Sequence, residues 1–365
     1  MASDRMEIRE NGERPALCGL LPEEISARLE VEPFRGRQVF AWIHRRRATD
    51  FAGMTDLPQA LRESLAARFQ VFDAECVEAS RSEKSGTMKA LLRVGAGDTV
   101  ESVLIREGDR VTLCLSTQVG CPLRCAFCAT GAAGYRRNLE PGEIIAQALW
   151  LLRVGEVNPE IHPNIVFMGM GEPFYNYDAV RKAIVLLMRQ DGLNIGARRI
   201  TVSTAGDIRG IRRFADEGWQ VRLSVSLHAA NDALRSELVP LNRRFPLADL
   251  RQALEYYQQQ TGRQFTFEWT LLDGVNDRPE HAAELAEFAR GLKVFVNLIP
   301  WNPVPGLPFR PTPSRRAAFF AESLRRWGLA VTLRKEQGRD IDAACGQLRR
   351  VKLAGEKVEI ENNFR

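Results

Sequence analysis

Cys121, Cys125 and Cys128 lie in the run Cys121-Pro-Leu-Arg-Cys125-Ala-Phe-Cys128, separated by three and then two residues. Thiolates spaced this way in one loop can wrap a single soft metal centre. The number of ligands is informative. A centre with four protein ligands is closed, whereas three leave one position open to bind and activate a small molecule. Structural zinc is the alternative, with Cys114 or a distant His as fourth ligand, but no second paired Cys motif and no His-x-His pair lies nearby. The chain has 7 cysteines, an odd number with three crowded together, which is unlike the evenly paired staples of a small secreted domain.

Two further patterns bear on chemistry. Gly169-Met-Gly171-Glu172-Pro173 could be taken for a dinucleotide fingerprint, but the third glycine would fall at Phe174, so that reading fails. Near the C-terminus, Asp-Ala-Ala-Cys345-Gly reads as a loop or short turn in which Gly346 permits movement.

The elements that must position these residues follow from periodicity. From about Leu21 to Phe69 the apolar residues recur at helical spacing, with turns at Glu32-Pro33 and Asp56-Leu57-Pro58, so a small helical domain is expected. The run from Phe34 to Arg47 interleaves aromatic and basic residues, as an RNA-contacting helix would; the alternative is an amphipathic core helix with a solvated basic end. Between Lys89 and Leu115 the pattern changes to short β-rich pieces, which places a domain boundary near residue 95. Strand-like runs then alternate with helical stretches, at Asn164 to Met168, Arg199 to Ser203, Val221 to Leu227, Phe265 to Leu271 and Val294 to Ile299. With the strand ending at Cys114 the count is six, fewer than the eight of a closed barrel. The expected fold is therefore α/β, a partial (β/α)6 barrel with a small N-terminal helical domain and a C-terminal extension, with ligand contacts at the C-terminal ends of the strands. The expected boundaries are 1–95, 96–335 and 336–365. Residues Ile299 to Ser314 are dense in Pro and should form an extended, stiff loop.

At 365 residues and 45% hydrophobic, the chain can bury a barrel-sized core plus an appendage. No stretch near twenty residues lacks charge, and residues 1–20 are polar and mixed in sign, so neither a membrane span nor a signal peptide is expected, and the location should be cytoplasmic. The net charge of +5 suggests a polyanionic partner, although 44 of the 51 basic residues are Arg, which a codon preference would also produce.

The cysteine spacing resembles the radical S-adenosylmethionine (SAM) superfamily, in which a 4Fe-4S cluster's open iron chelates SAM and one electron releases a 5′-deoxyadenosyl radical. The resemblance narrows with Glu101-Ser-Val, Cys114-Leu-Ser-Thr-Gln-Val-Gly-Cys121, Met168-Gly-Met-Gly-Glu172-Pro, Ser226-Leu-His228, Ile299-Pro-Trp-Asn302-Pro and Asp340-Ile-Asp-Ala-Ala-Cys345-Gly-Gln-Leu. In order from about Phe34 to Leu348, these resemble the RlmN and Cfr family of RNA methyltransferases.

That resemblance implies methyl transfer to an adenine carbon, with two SAM molecules per turnover. It assigns Cys121, Cys125 and Cys128 to the cluster, Cys345 to carrying the methyl group, Glu101 to accepting a proton, and Cys114 to resolving the adduct through a transient Cys114-Cys345 disulfide. Gly171, Glu172, Ser203, Ser226, Leu227, His228 and Asn302 would contact SAM. The N-terminal stretch is similar to the family's accessory RNA-binding domain. RlmN-type members act on carbon 2 of adenosine in 23S ribosomal RNA, at the peptidyl transferase centre, and in transfer RNAs, 3′ of the anticodon; Cfr-type members act on carbon 8. Met-Gly-Glu-Pro and Gly-Arg-Asp-Ile-Asp look more like the RlmN side, while Glu336-Gln337-Gly338-Arg339 departs from a Thr-Arg-Gly-Asp version and leaves nearby RNA contacts open. An electron donor such as flavodoxin or ferredoxin is implied, and a monomer is expected. Two other readings are a zinc-stabilised RNA-binding protein, which leaves Cys345 unexplained, and a methylthiotransferase, which would need a further three-cysteine motif.

Overall fold

The computed structural model describes residues 14–95, 97–334, 341 and 347–348. Three helices open it, Pro22–Leu29 (α1), Pro33–His44 (α2) and Gln59–Arg68 (α3). Pro22 and Pro33 sit in the first turn of their helices, where the missing N–H costs nothing. In α1, Glu24 also accepts the Leu21 N–H at 2.7 Å. The sequence of α2 buries Gly36, Val39, Phe40, Ile43 and His44 on one stripe. Phe34 stays 46% exposed, with Arg35 lying over its ring, and Arg46 lies over Trp42 at 4.0 Å from the ring centre. The helix is thus an amphipathic core helix that keeps a solvated face of aromatic and basic residues.

His44 is fully buried and stacks on Phe40 at 4.1 Å. Burial pushes its imidazole down to about 3, opposed by the Cys18 backbone carbonyl and by Asp191. An unfolded His titrates near 6.5, so below that pH the unfolded chain binds a proton the folded chain refuses. The stability this site contributes is complete above pH 6.5 and is lost as the pH falls towards 3. Between pH 6.5 and 4.5 the loss is on the order of 2–3 kcal/mol. Thermal melts of the apoprotein over that range, wild type against His44→Leu, should show a shallower acid-side fall in the variant; equal slopes would refute the assignment.

The strands are Ala74–Arg81 (β1), Met88–Val94 (β2), Asp98–Glu107 (β3), Arg110–Cys114 (β4), Gln118–Gly120 (β5), Tyr135–Asn138 (β6), Asn164–Phe167 (β7), Ile200–Thr204 (β8), Arg222–Ser226 (β9), Phe265–Leu271 (β10), Val294–Pro300 (β11) and Ala330–Leu333 (β12). Ten of them form one sheet in the order β1-β2-β3-β4-β7-β8-β9-β10-β11-β12, while β5 and β6 pair separately. Strands β1 to β4 are antiparallel, and every pairing from β4 onward is parallel. Helices connect the parallel strands, as a buried parallel sheet requires. Spatial order follows chain order and, among the described residues, the two edges do not pair, so the barrel is open.

The α/β partial barrel expected from sequence is present, with one parallel strand more than the six counted. The seventh, β12, is a half-exposed edge strand. Residues assigned by sequence to the N-terminal domain include β1 and β2, which hydrogen-bond through β3 into the large sheet. Side chains alternate along β10: Phe265, Phe267, Trp269 and Leu271 pack in the core, whereas Glu268 and Thr270 face the barrel cavity. Beyond β11, residues 301–313 carry no helix or strand, as the density of Pro predicts.

Candidate active site

The cysteine loop springs from the C-terminal end of β4 and is held by the two-stranded clasp of β5 and β6. Gly120 closes the clasp with φ near +78°, and a Cβ there would lie 1.8 Å from the Gly134 carbonyl oxygen, so no other residue fits. Cys121 donates its N–H to the same carbonyl at 3.0 Å, Cys128 N–H reaches Cys125 O at 3.2 Å, and Ala126 N–H reaches Leu238 O at 2.9 Å. The Trp301 indole donates to Phe127 O at 3.0 Å, which ties the loop to the far side of the barrel. Cys121, Cys125 and Cys128 line one cavity of about 150 Å³, with Gly171, Glu172, Ser203, Ser226 and His228 on its other walls.

The donor set suits a cluster. Burial drives the Cys121 thiol up to about 12, with Cys128 and Glu172 adding repulsion. Burial drives Cys125 well above its ordinary value, and the neighbouring Cys128 and Cys121 push the same way. Ionising Cys121 and Cys125 together here calls for a cation beside them, and iron would supply it. Among the described residues no group of three or more Cys, His, Asp or Glu side chains is gathered around a single-ion position. The fit therefore rests on the thiols sharing one buried cavity.

The walls opposite the thiols are built from strand ends. Gly171 has φ near +105°, and a Cβ there would come within 2.7 Å of Gln118. Gln118 Oε1 in turn accepts the Glu172 N–H at 2.9 Å. The Glu172 carboxylate accepts from Phe174 N–H at 3.1 Å and Ala205 N–H at 2.8 Å, joining the ends of β7 and β8. Burial raises its carboxyl to about 7 despite these bonds, so an ammonium group bound beside it would draw it back to the ionised form.

His228 has φ near +59°, a strained position for a non-glycine residue, and is clamped from two sides. Its Nδ1 accepts the Thr270 N–H at 3.0 Å, its carbonyl accepts from Asn276 at 2.8 Å, and Phe127 meets its ring edge-on. Burial, reinforced by Arg235, lowers it to about 3, so it is a neutral imidazole with the proton on Nε2. The Leu227 side chain packs in the main core, so this residue could meet a ligand only through its backbone. Asn302 is 3% exposed and its Oδ1 has no hydrogen-bond partner among the described residues, which leaves a buried acceptor.

The remaining sequence-predicted residues stand apart from this cavity's lining. Glu101, on β3, is buried, and its Oε1 lies 3.2 Å from Lys89 Nζ. Its N–H meets the Met170 sulfur at 3.3 Å and its carbonyl accepts from Ser116 Oγ at 2.6 Å, so it backs onto the turn that carries Glu172. Cys114 is buried at the end of β4, opposite Val103 and Val166. Cys345 lies outside the described residues. Gln347 and Leu348, just after it in sequence, are buried: Gln347 donates to Pro303 O at 3.2 Å, and Leu348 O accepts from Thr130 at 2.5 Å.

Two residues at the site were missed by sequence reading. Glu268 lines the cavity, accepting from Ser224 at 2.8 Å and Asn297 at 2.7 Å. Its signal was a lone charge inside the apolar run Phe-Thr-Phe-Glu-Trp-Thr-Leu. Arg235 is fully buried and spans three oxygens, Leu227 O at 3.2 Å, Asn242 Oδ1 at 2.9 Å and Ala205 O at 2.6 Å. Nothing in its local sequence marks it.

The open parallel barrel, with three thiols on a strand-end loop facing Glu172, Ser203, Ser226 and His228 across one cavity, defines a radical SAM enzyme, which carries a 4Fe-4S cluster and uses SAM. The radical SAM superfamily model matches residues 115–287, and the model for the ribosomal RNA large subunit methyltransferase N-terminal domain matches residues 23–71. A probable dual-specificity RNA methyltransferase RlmN from Heliobacterium modesticaldum is 48% identical over 354 residues, spanning 94% of this chain and 92% of its own. The protein of the same name from Bacillus subtilis is 43% identical over 348 residues, 94% of this chain and 95% of its own. A solved radical SAM methyltransferase from Sphaerobacter thermophilus is 46% identical and superposes with a TM-score of 0.88, covering 92% of this chain and 99% of that one. The chain belongs to the RlmN family of radical SAM RNA methyltransferases.

Proposed function

We propose that this chain transfers a methyl group to carbon 2 of adenosine in 23S ribosomal RNA and in transfer RNA. The observation that carries the reading is the convergence of Cys121, Cys125 and Cys128 with Glu172, Ser203, Ser226 and His228 on one cavity, in a chain of the RlmN family. Carbon 2 rather than carbon 8 follows from the relatives above, which carry the RlmN name. When bound, the cluster supplies the electron that cleaves SAM.

The chain's own residues then have distinct tasks. Glu172, Ser203, Ser226, His228, the Leu227 backbone and the buried Asn302 acceptor hold SAM against the thiol loop. Cys345 carries the methyl group on sulfur. The radical that SAM cleavage supplies would take one hydrogen from that methyl group so that its carbon can bond to the adenine ring; Glu101 then takes the ring proton, and Cys114 attacks the Cys345 sulfur. The carbon–sulfur bond breaks as the sulfur–sulfur bond forms. The Lys89 ammonium, 3.2 Å from its Oε1, pairs with the Glu101 carboxylate. The anchoring of Gln347 and Leu348 to Pro303 and Thr130 supports a C-terminal segment working beside the cysteine loop.

Residues 1–95 would grip RNA, 96–335 perform the radical chemistry and 336–365 carry the methyl acceptor. The protein would work as a cytoplasmic monomer served by a flavodoxin or ferredoxin; among the described residues no helix is long and apolar enough to cross a membrane.

The test is anaerobic reconstitution with iron and sulfide, then incubation of ribosomal and transfer RNA with SAM and a reductant, read by mass spectrometry. Wild type should yield 2-methyladenosine and Cys345→Ala none. An 8-methyladenosine product, or methylation surviving in Cys345→Ala, would overturn the reading.

A further inference from the structure

A second cleft, of about 570 Å³, opens on the barrel rim behind the wall of the thiol cavity. The two are back to back. Pro122, in the cleft, follows Cys121; Phe174 and Tyr175, in the cleft, follow Glu172-Pro173; and Gln118 lines the cleft while its Oε1 accepts the Glu172 N–H. None of the residues assigned above to SAM, cluster or methyl transfer lines it.

Its chemistry is that of a nucleotide site. Tyr135, 46% exposed, and Tyr175 offer ring faces. Arg209, Arg213 and Arg244 outnumber Asp207, the carboxylate in the described lining. Asp207 is engaged already, accepting the Gly210 N–H at 3.1 Å and lying 3.7 Å from Arg209. Arg213 pairs with Asp178, whereas Arg244 is exposed, lies over the Phe245 ring and forms no ion pair within 4.0 Å among the described residues. Gln118, Tyr135 and Tyr175 are bound to Asn138, through its Oδ1 at 2.7 and 3.2 Å and its Nδ2 at 3.2 Å, so one wall is pre-set. Arginines for phosphate beside tyrosines for stacking are what unpaired RNA requires. The volume is that of a small-ligand pocket, whereas a docking redox protein needs a broad patch.

We propose that this cleft holds one unpaired nucleotide adjoining the target adenosine, with Arg244 on its phosphate and Tyr135 or Tyr175 stacked on its base. The proposal rests on the RNA methyltransferase reading above. Holding the neighbour on the rim would present the target base to the cavity across a shared wall.

The test uses full-length holoenzyme without reductant and a fluorescently labelled transfer RNA, with binding followed by anisotropy across a salt series. Arg244→Ala should weaken binding on the order of tenfold and lower the slope of log affinity against log salt by about one. Tyr135→Leu should weaken it by about five- to a hundredfold with the slope unchanged. Cleavage of SAM without RNA, driven by dithionite, should be unaltered in both, which separates lost RNA contacts from a damaged site. Wild-type affinity and slope in both variants would overturn the proposal while leaving the RNA reading intact. Normal RNA binding with slower cluster reduction by flavodoxin would overturn it in favour of a reductant dock. No RNA binding by the wild type would remove the RNA reading and this one together.

Discussion

Cys125→Ala, reconstituted anaerobically beside the wild type, is expected to lose the cluster's broad visible absorbance and to leave RNA methylation below detection. The expectation follows from the donor count. With three protein ligands the loop has none to spare, since the fourth position belongs to SAM. Burial opposes ionisation of the Cys125 thiol and both other thiols oppose it further, a penalty that iron would offset. The apoprotein should lose little. The loop's backbone is held by Gly134 O, Leu238 O and the Trp301 indole, none of which depends on the Cys125 side chain. Melting of the apo variant within a few degrees of wild type, with iron and sulfide absent after reconstitution, would confirm a ligand role. A variant that still binds four irons and methylates RNA would refute it.

The legible part of this protein was what burial and metal chemistry impose on neighbouring residues. Strands β7 to β11 lie in the sheet's interior, and their apolar runs gave them away to within a residue or two. The edge strands did not show. Strand β1 reads Ala-Glu-Cys-Val-Glu-Ala-Ser-Arg and β12 is four half-exposed residues, because a strand covered on one side needs no apolar run. The α2 helix was read in two ways because its aromatic and basic residues fit either, and only packing separates Phe40 and His44 inside from the exposed Phe34 and the half-buried Trp42.

In the site, the cysteine spacing was visible locally, whereas the other contacts come together from strand ends far apart in sequence. Glu172, Ser203 and His228 were reached through family resemblance. Glu268 and Arg235, which that resemblance did not supply, emerged only from the fold. A buried Arg is nearly invisible in sequence because Arg residues are ordinarily exposed.

Arg235→Met is expected to destabilise the apoprotein by about 3–5 kcal/mol, read as a melting temperature lower by roughly 5–10 °C. The guanidinium joins the loop after β8, through Ala205 O, to the loop after β9, through Leu227 O, and braces Asn242 beyond the Asp232–Leu238 helix that carries it. Methionine fills much of the volume but leaves the buried Ala205 O and Asn242 Oδ1 without that donor, whereas Leu227 O keeps the Ala229 N–H at 2.8 Å, and each orphaned group costs about 1–3 kcal/mol. Part of that is offset because the variant no longer buries a charge. The burial penalty is real: it lowers the guanidinium to about 10, opposed by attraction to Cys125 and Asp232, so Arg235 remains cationic at neutral pH.

The two contributions can be told apart with Arg235→Lys, which keeps the charge but cannot span three acceptors in a plane. If the bracing dominates, Lys should melt nearer to Met than to wild type, and SAM affinity should fall in both, because Ala205 and Leu227 adjoin Ser203, Ser226 and His228. If Lys restores the wild-type melting temperature, the charge beside Cys125 is what matters. Unchanged melting in Arg235→Met would mean that Ala205 O and Asn242 Oδ1 find other donors and that the loops after β8 and β9 hold their shape unaided.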